Sequence, residues 1–154
     1  MEFYSATSVK FLKPVTVECT FLDGKVIQYD MSELFEDYPV YKGLLDEKIF
    51  TSGVLWKGGY LIYWEEIDEG IEPTTVYLYG KVVGHVETTI NQRLGFLLAD
   101  VRNKADITQT ELAKLSHIDQ ADICRIELAE GNPTLKKIDK LFKALGKNIT
   151  IDIE

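Results

Sequence analysis

The chain has 154 residues, 45% hydrophobic and 11% aromatic, with a formal net charge of -8. That length allows one medium domain or two small ones, and the composition affords a real core, which excludes general disorder. No apolar run approaches the roughly 20 residues needed to cross a bilayer, and the acidic balance is the wrong sign for a phosphate-binding surface spread over the whole molecule.

The charge is uneven. Residues 1–90 hold 7 Lys+Arg and 15 Asp+Glu, whereas residues 91–154 hold 10 of each. All the excess acid therefore sits in the N-terminal part. The opening "MEFYSATSVK" lacks a basic stretch followed by an apolar core, so no signal peptide is expected and the expected location is cytoplasmic. Cys19 and Cys124 are the only cysteines. A disulfide between them is open in principle, but a cytoplasmic chain keeps its thiols reduced, and two buried or half-buried thiols are the expectation.

In chain order, "VTVECTFLDGKVIQY" at 15–29 is rich in β-branched and aromatic residues, with Asp23-Gly24 as a two-residue hairpin turn. Asp30 or Ser32 caps a short helix through "SELFEDY", limited by Pro39. A second hairpin is expected from β-prone segments 49–56 and 60–65 around Lys57-Gly58-Gly59. Pro73 breaks the chain before a short helix or strand. These elements predict a small α+β domain on an antiparallel sheet, residues 1–84.

"KVVGHVETTINQ" reads as the boundary, and residues 85–154 as a second domain. Asn91 or a nearby Thr opens a helix with Leu94, Leu97, Leu98 and Val101 at i, i+3, i+4, i+7. Leu112 and Leu115 mark a second helix, Ile123 and Ile126 a third. Leu135, Ile138, Leu141, Phe142 and Leu145 mark a fourth, closed by Gly146. Ile149, Ile151 and Ile153 alternate, so the tail reads as a strand. The fold class is α+β: a small antiparallel-sheet domain with short helices, then an all-α bundle with a terminal β-strand.

Catalytic chemistry finds little support. The two histidines, His85 and His117, fall in the boundary segment and in a helix turn, near no Gly-x-Ser-x-Gly elbow. Scattered His and Cys give no metal-ligand spacing, and no Gly-rich loop precedes a helix to hold a nucleotide cofactor. The acidic pairs Glu65-Glu66 and Asp68-Glu69 suit a solvated loop better than an acid–base pair. No enzyme, metal or cofactor is expected.

"TQTELAKLSHIDQADICRIE" at 108–127 carries the most information. Thr108 and Glu111 make a capping box. Leu112 and Ala113 pack inward, and Ala113 suits a close helix crossing. Ser116-His117-Ile118 form the turn with Ile118 buried, and Asp119 caps the next helix. On that helix Ile123 and Ile126 share one face. Ala121, Cys124 and Arg125 point away, with Gln120 in the exposed first turn.

With "NPTLKKIDKLFKALG" after it, this stretch resembles the phage-repressor, or XRE-like, helix-turn-helix group, which includes many antitoxins. The resemblance covers residues 91–146. It rests on Gln109, Leu112-Ala113, Ile118, Ile123, Arg125-Ile126-Glu127, Asn132-Pro133 and Ala144-Leu145-Gly146. It implies that Gln120, Ala121 and Arg125 read base edges, and that Gln109, Asn132, Thr134, Lys136 and Lys137 hold phosphates. It also implies an architectural ion pair between Arg102 and Glu127. Against these roles, Gln109 can be a solvated first-turn residue and the lysines the wet face of a helix. Arg125 can pair with Asp122, which would itself repel phosphate or accept from a cytosine amino group. Residues 9–80 resemble a small bacterial domain of unknown function found ahead of such helix-turn-helix regions in toxin–antitoxin-like settings.

The expected function is a sequence-specific transcriptional regulator, a repressor or antitoxin-like autorepressor, acting as a homodimer on double-stranded operator DNA. A toxin-like protein or small effector is the expected partner of the N-terminal domain. The alternative is a protein-interaction adaptor whose helix-turn-helix no longer binds DNA.

Overall fold

The computed structural model describes residues 3–153, which form two compact units. One runs from Tyr4 to Thr88; the other comprises Phe3 and the residues from Thr89 onward. Among the described residues, no helix is long and apolar enough to cross a membrane.

The first unit is built on an antiparallel sheet of four strands in the order β1-β2-β3-β7: β1 Ala6–Leu12, β2 Thr16–Phe21, β3 Lys25–Asp30 and β7 Lys81–His85. Alternation in β2 sends Val17, Cys19 and Phe21 into the core and Thr16, Glu18 and Thr20 outward. Ile27 and Tyr29 of β3 continue the buried face. The β2–β3 connection is longer than the expected two-residue turn. Leu22 and Asp23 occupy the centre of a β-turn closed by Gly24 N–H donating to Phe21 C=O at 2.9 Å, and only Gly24 has positive φ, at 86°. This is the three-residue hairpin with a left-handed glycine rather than the mirror-image two-residue turn.

His85 is not in a linker. It pairs with Lys25 at the end of β7, because "KVVGH" supplies the β-branched strand that closes this side of β3. The helix after Pro73 is α2, Pro73–Tyr79, with Pro at the first helical position where its missing N–H costs nothing.

A second, three-stranded antiparallel sheet is ordered β4-β5-β6: β4 Val54–Leu55, β5 Ile62–Trp64 and β6 Glu69–Ile71. The hairpin of β4 and β5 is shorter than the sequence suggests, because residues 47–51 are helical. Asp46 accepts from the Lys48 and Ile49 amides and starts helix α1, Glu47–Thr51, overriding the β preference of Ile49 and Thr51. Ile62, Trp64 and Ile71 point into the core, where the Trp64 indole donates to Phe50 C=O at 2.8 Å. Cys19 is fully buried beneath the larger sheet, and burial pushes its thiol up to about 12, so it stays protonated and inert.

The second unit is a bundle of α3 Ile90–Lys104, α4 Gln109–Ser116, α5 Gln120–Glu127 and α6 Leu135–Ala144. Its core is Leu98, Leu112, Ile118, Ile123, Ile126, Ile138, Leu141 and Phe142, with Leu94, Val101 and Leu145 packed at the edge. Leu97, Leu115 and Leu135 are instead exposed, at 50%, 56% and 76%. Leu115 lies three residues from buried Leu112, and Leu97 three residues from half-buried Leu94. Three residues is about 60° short of a full turn, which puts them on the rim of the apolar stripe.

A close helix approach occurs at Gly95, where an added Cβ would stand 2.4 Å from Ile126 C=O, and Ala113 packs against the bundle core. Helices α3, α5 and α6 all end in the same hydrogen-bond pattern, with left-handed Asp106, Ala129 and Gly146 after the last turn. Residues 147–153 form no strand, and Ile151 and Ile153 are largely exposed. Alternation makes a segment β-compatible, but a strand exists only when another strand accepts its ladder, and none among the described residues does.

Candidate nucleic-acid interface

Helix α4 starts at a complete capping box. Thr108 Oγ1 accepts from Glu111 N–H at 3.1 Å, while the Glu111 carboxylate accepts from Thr108 N–H at 2.7 Å and from its hydroxyl at 2.9 Å. These two donors hold the Glu111 carboxyl below the ordinary glutamate range. At its other end Ser116, buried, donates to Leu112 C=O and accepts from Ile118 N–H. His117 takes the left-handed conformation, with φ 56°, and turns the chain so that Ile118 plugs the core.

Asp119 stands at the N-cap position of α5, but its side chain makes no cap bond. Its backbone C=O instead accepts from Asp122 and Ile123. The expected carboxylate cap is therefore not formed, since Asp119 leaves its neighbours to the backbone. With Ile123 and Ile126 buried, α5 presents Gln120, Ala121 and Arg125 to solvent, and Cys124 is half-buried.

A hydrogen-bond chain runs from this exposed face into the core. The Gln120 side-chain amide donates to Gln109 Oε1 at 2.7 Å, and the Gln109 amide donates to Glu127 Oε2 at 2.8 Å. Glu127 receives the Arg102 guanidinium in a fork, Nε to Oε1 at 2.6 Å and Nη2 to Oε2 at 2.9 Å. Arg102 also donates to Ile107 C=O. Arg102 and Glu127 are 8% and 7% exposed, so this charge-assisted fork is strong and geometrically demanding. It fixes α3 against α5 and, through Gln109, the start of α4.

The start of α6 carries the remaining candidates. Thr134 caps the helix by accepting from Lys137 N–H. Asn132 is held by Asn91, whose side-chain amide donates to Asn132 Oδ1 at 3.0 Å and to Gly131 C=O at 3.1 Å. Lys136 and Lys140 are exposed and line an open cleft of about 370 Å³ with His117, Asp119 and Thr134. An adjoining cleft of about 150 Å³ is lined by Arg125, Asn132 and Pro133. Asp122 and Lys137 line both.

Lys137 is not a free cation. Its ammonium donates to Asp122 Oδ2 at 2.8 Å, and Arg125 Nη1 reaches Asp122 Oδ1 at 3.2 Å. The Lys137 hydrogen bond, then its charge, then Arg125 hold the Asp122 carboxyl below the ordinary aspartate range. The structure thus joins Gln109 to Gln120, Arg102 to Glu127, and both Arg125 and Lys137 to Asp122. Sequence reasoning named Asn91 only as a possible opener of α3, a role that Thr89 fills, and missed both its hold on Asn132 and Gly95. A glycine on the apolar side of an otherwise regular helix was the available signal for Gly95.

Two adjacent short helices, the second presenting polar side chains beside a lysine-lined cleft, define a helix-turn-helix protein with a separate N-terminal sheet domain. Residues 98–151 match the family described as helix-turn-helix, and residues 6–81 match the family described as protein of unknown function (DUF2442). The chain carries a helix-turn-helix domain of the phage-repressor type behind a domain of that second family. No curated protein matches it. Among solved structures it is similar to NE0471 from Nitrosomonas europaea ATCC 19718, designated a candidate DNA-binding protein, at 17% identity and a TM-score of 0.43 over 94% of this chain and 85% of that one.

Proposed function

We propose that the chain is a sequence-specific DNA-binding transcriptional regulator. Helix α5 enters the major groove, where Gln120, Ala121 and Arg125 face base edges: a glutamine suits adenine, an arginine guanine, and an alanine the thymine methyl. Gln109 and the start of α6, through Asn132, Thr134 and Lys136, hold flanking phosphates. One observation carries this reading: the buried Arg102–Glu127 fork is continued through Gln109 to Gln120, so a candidate base-reading side chain is fixed by the core rather than left mobile. Preorganised polar groups lose less on binding than mobile ones.

One such unit reads few base pairs, so the active form in this proposal is a homodimer on a two-fold operator with half-sites about one helical turn apart. Repression of its own gene, in the manner of an antitoxin, is the finer part of the proposal. A second reading, a protein-interaction adaptor, draws on Asp122, which occupies both Arg125 and Lys137. Random-site DNA selection with the full chain at two salt concentrations separates the two. Enrichment of a two-fold site at both salts supports the regulator. Loss of all selection at the higher salt leaves only charge-driven binding and supports the adaptor.

A further inference from the structure

Away from the helix-turn-helix unit, the smaller sheet carries aromatic side chains on its solvent face. Val54 pairs with Tyr63, and Tyr63 with Gly70, while their neighbours Ile62 and Trp64 are fully buried on the opposite face. Trp56 follows Val54 by two residues, on the same side, and Tyr60 closes the turn. Trp56 is 42% and Tyr60 47% exposed, and Val54 58%. The Trp56 ring lies 6.2 Å from Tyr60 at 90° and 5.5 Å from Tyr63 at 56°, so the three rings meet as a corner rather than a stack.

We propose that Trp56, Tyr60 and Tyr63, with Asp68, form an aromatic cage for a cationic side chain, an arginine or lysine on a basic polypeptide segment of a partner protein. The proposal is independent of the DNA-binding reading.

The mounting is rigid. Gly59 N–H donates to Trp56 C=O, and Trp56 N–H to Leu61 C=O. Gly58 and Gly59 both take positive φ, and Gly59 C=O accepts from Ala6 N–H at 2.7 Å. An added Cβ on Gly59 would stand 1.9 Å from Ala6 C=O, so strand β1 clamps the turn from behind. Two large rings are thus fixed outside the core by a glycine turn, where burial would ordinarily draw them in.

The electrostatics select a cation. The faces of tryptophan and tyrosine are the negative ends of their quadrupoles and attract ammonium or guanidinium groups within about 6 Å of the centroid. Tyr63 Oη donates a short hydrogen bond to Asp68, which places a carboxylate at the rim. That bond first, with the nearby charges of Asp68, Glu65 and Glu69, holds the Tyr63 phenol above its ordinary range. The surrounding acid repels phosphate and carboxylate ligands. Val54 extends the apolar floor beside the rings. A free small cation makes no use of such a floor, whereas the aliphatic stem of a lysine or arginine lies along it.

The test uses the full chain and two ten-residue peptides, one alternating arginine with serine and one carrying the neutral isostere citrulline in place of arginine. The readout is the indole N–H signal of Trp56 in nitrogen–proton spectra, with buried Trp64 as the internal reference for folding. The expected result is a saturable shift of the Trp56 signal with the arginine peptide alone. Trp56→Leu and Tyr60→Leu, which keep apolar bulk but remove the ring, should each weaken the arginine peptide by about tenfold, measured by peptide fluorescence anisotropy. Glu33→Gln, an acid outside the 63–70 segment, should change it less than twofold. Equal binding of the citrulline peptide, unchanged binding by both leucine variants, or tetramethylammonium binding as tightly as the peptide would each overturn the proposal.

Discussion

Lys137 in the first turns of α6 donates to Asp122 on α5 at 2.8 Å, and the same carboxylate takes Arg125 at 3.2 Å. One acid therefore neutralises two of the cations expected to face DNA, while leaving Lys136 and Lys140 exposed. In the fold the bridge is a staple between the two helices, and under the DNA-binding proposal it is a brake on phosphate affinity.

Asp122→Asn should release both cations. DNA affinity is expected to rise several-fold at low salt, and the dependence on salt to steepen by about one counterion. Fluorescence anisotropy at two ionic strengths reads both. A fall in affinity confined to one operator sequence would instead make Asp122 a reader of a cytosine amino group.

The Arg102–Glu127 fork leads to a stability prediction. Arg102→Ala leaves a buried carboxylate with only Gln109 as partner and should cost about 3–5 kcal/mol. Replacing both residues together, by Arg102→Met with Glu127→Leu, should recover most of the loss, because the desolvation penalty goes with the charges. Chemical denaturation of the three chains measures the difference. An Arg102→Ala chain as stable as the parent would mean the fork is open to water in solution.

Two backbone positions predict opposite signs. Ala129 adopts φ 59° after α5, a conformation in which an L side chain is strained, so Ala129→Gly should stabilise by about 0.5–1 kcal/mol. Gly95→Ala puts a methyl 2.4 Å from Ile126 C=O and should destabilise by about 1–3 kcal/mol through overpacking. Thermal melts of the pair test both.

How much of this was legible beforehand depends on how local each cause is. The α4–turn–α5 segment could be read because its determinants sit within a few residues: the Thr108–Glu111 box, the Ile118 plug, the Ile123–Ile126 face. Asp46 overruled the β preference of Ile49 through a cap that the hydrophobic pattern does not register. The alternating tail could not reveal that no strand awaits it. Trp64 and Tyr60 look alike in sequence, yet one is buried and the other exposed, because β5 alternates and the glycine turn does not. Asp122–Lys137 joins two helices and Asn91–Asn132 ties α3 to the loop before α6, and no local spacing encodes such meetings.

Glu111 carries a pH prediction. Its folded carboxyl is held below the ordinary value of 4.5 by Thr108. A depressed folded pKa contributes stability that is fully present above the unfolded value and is lost as pH falls through the folded one. The capping box should thus weaken only under acid conditions, and Glu111→Gln, which can still accept from Thr108 N–H, should remove that part of the pH dependence. Melting temperatures of parent and variant between about pH 2.5 and pH 6 are expected to converge toward the acid end. Parallel curves throughout would place the acid sensitivity elsewhere.

The base-reading assignment makes the sharpest distinction. Gln120 is tied to Gln109, so Gln120→Ala removes both a candidate base contact and the orienting partner of a candidate phosphate contact. Arg125, by contrast, pairs with Asp122 at the surface, and its side chain is 63% exposed. Each change to alanine should weaken a selected site by about 1–3 kcal/mol, and each should relax preference at different base positions. Lys136→Ala should weaken all sequences alike and reduce the salt slope by about one. Gln120→Ala should do a little of both, since Gln109 loses its contact at the start of α5 while keeping its bond to Glu127 at the far end of that helix. Competition binding with the selected site and a scrambled duplex, at two salt concentrations, resolves the three patterns. If Gln120→Ala and Arg125→Ala both bind the selected site as the parent does, helix α5 does not read bases, and the exposed face it shares with Asp122 serves a protein partner instead.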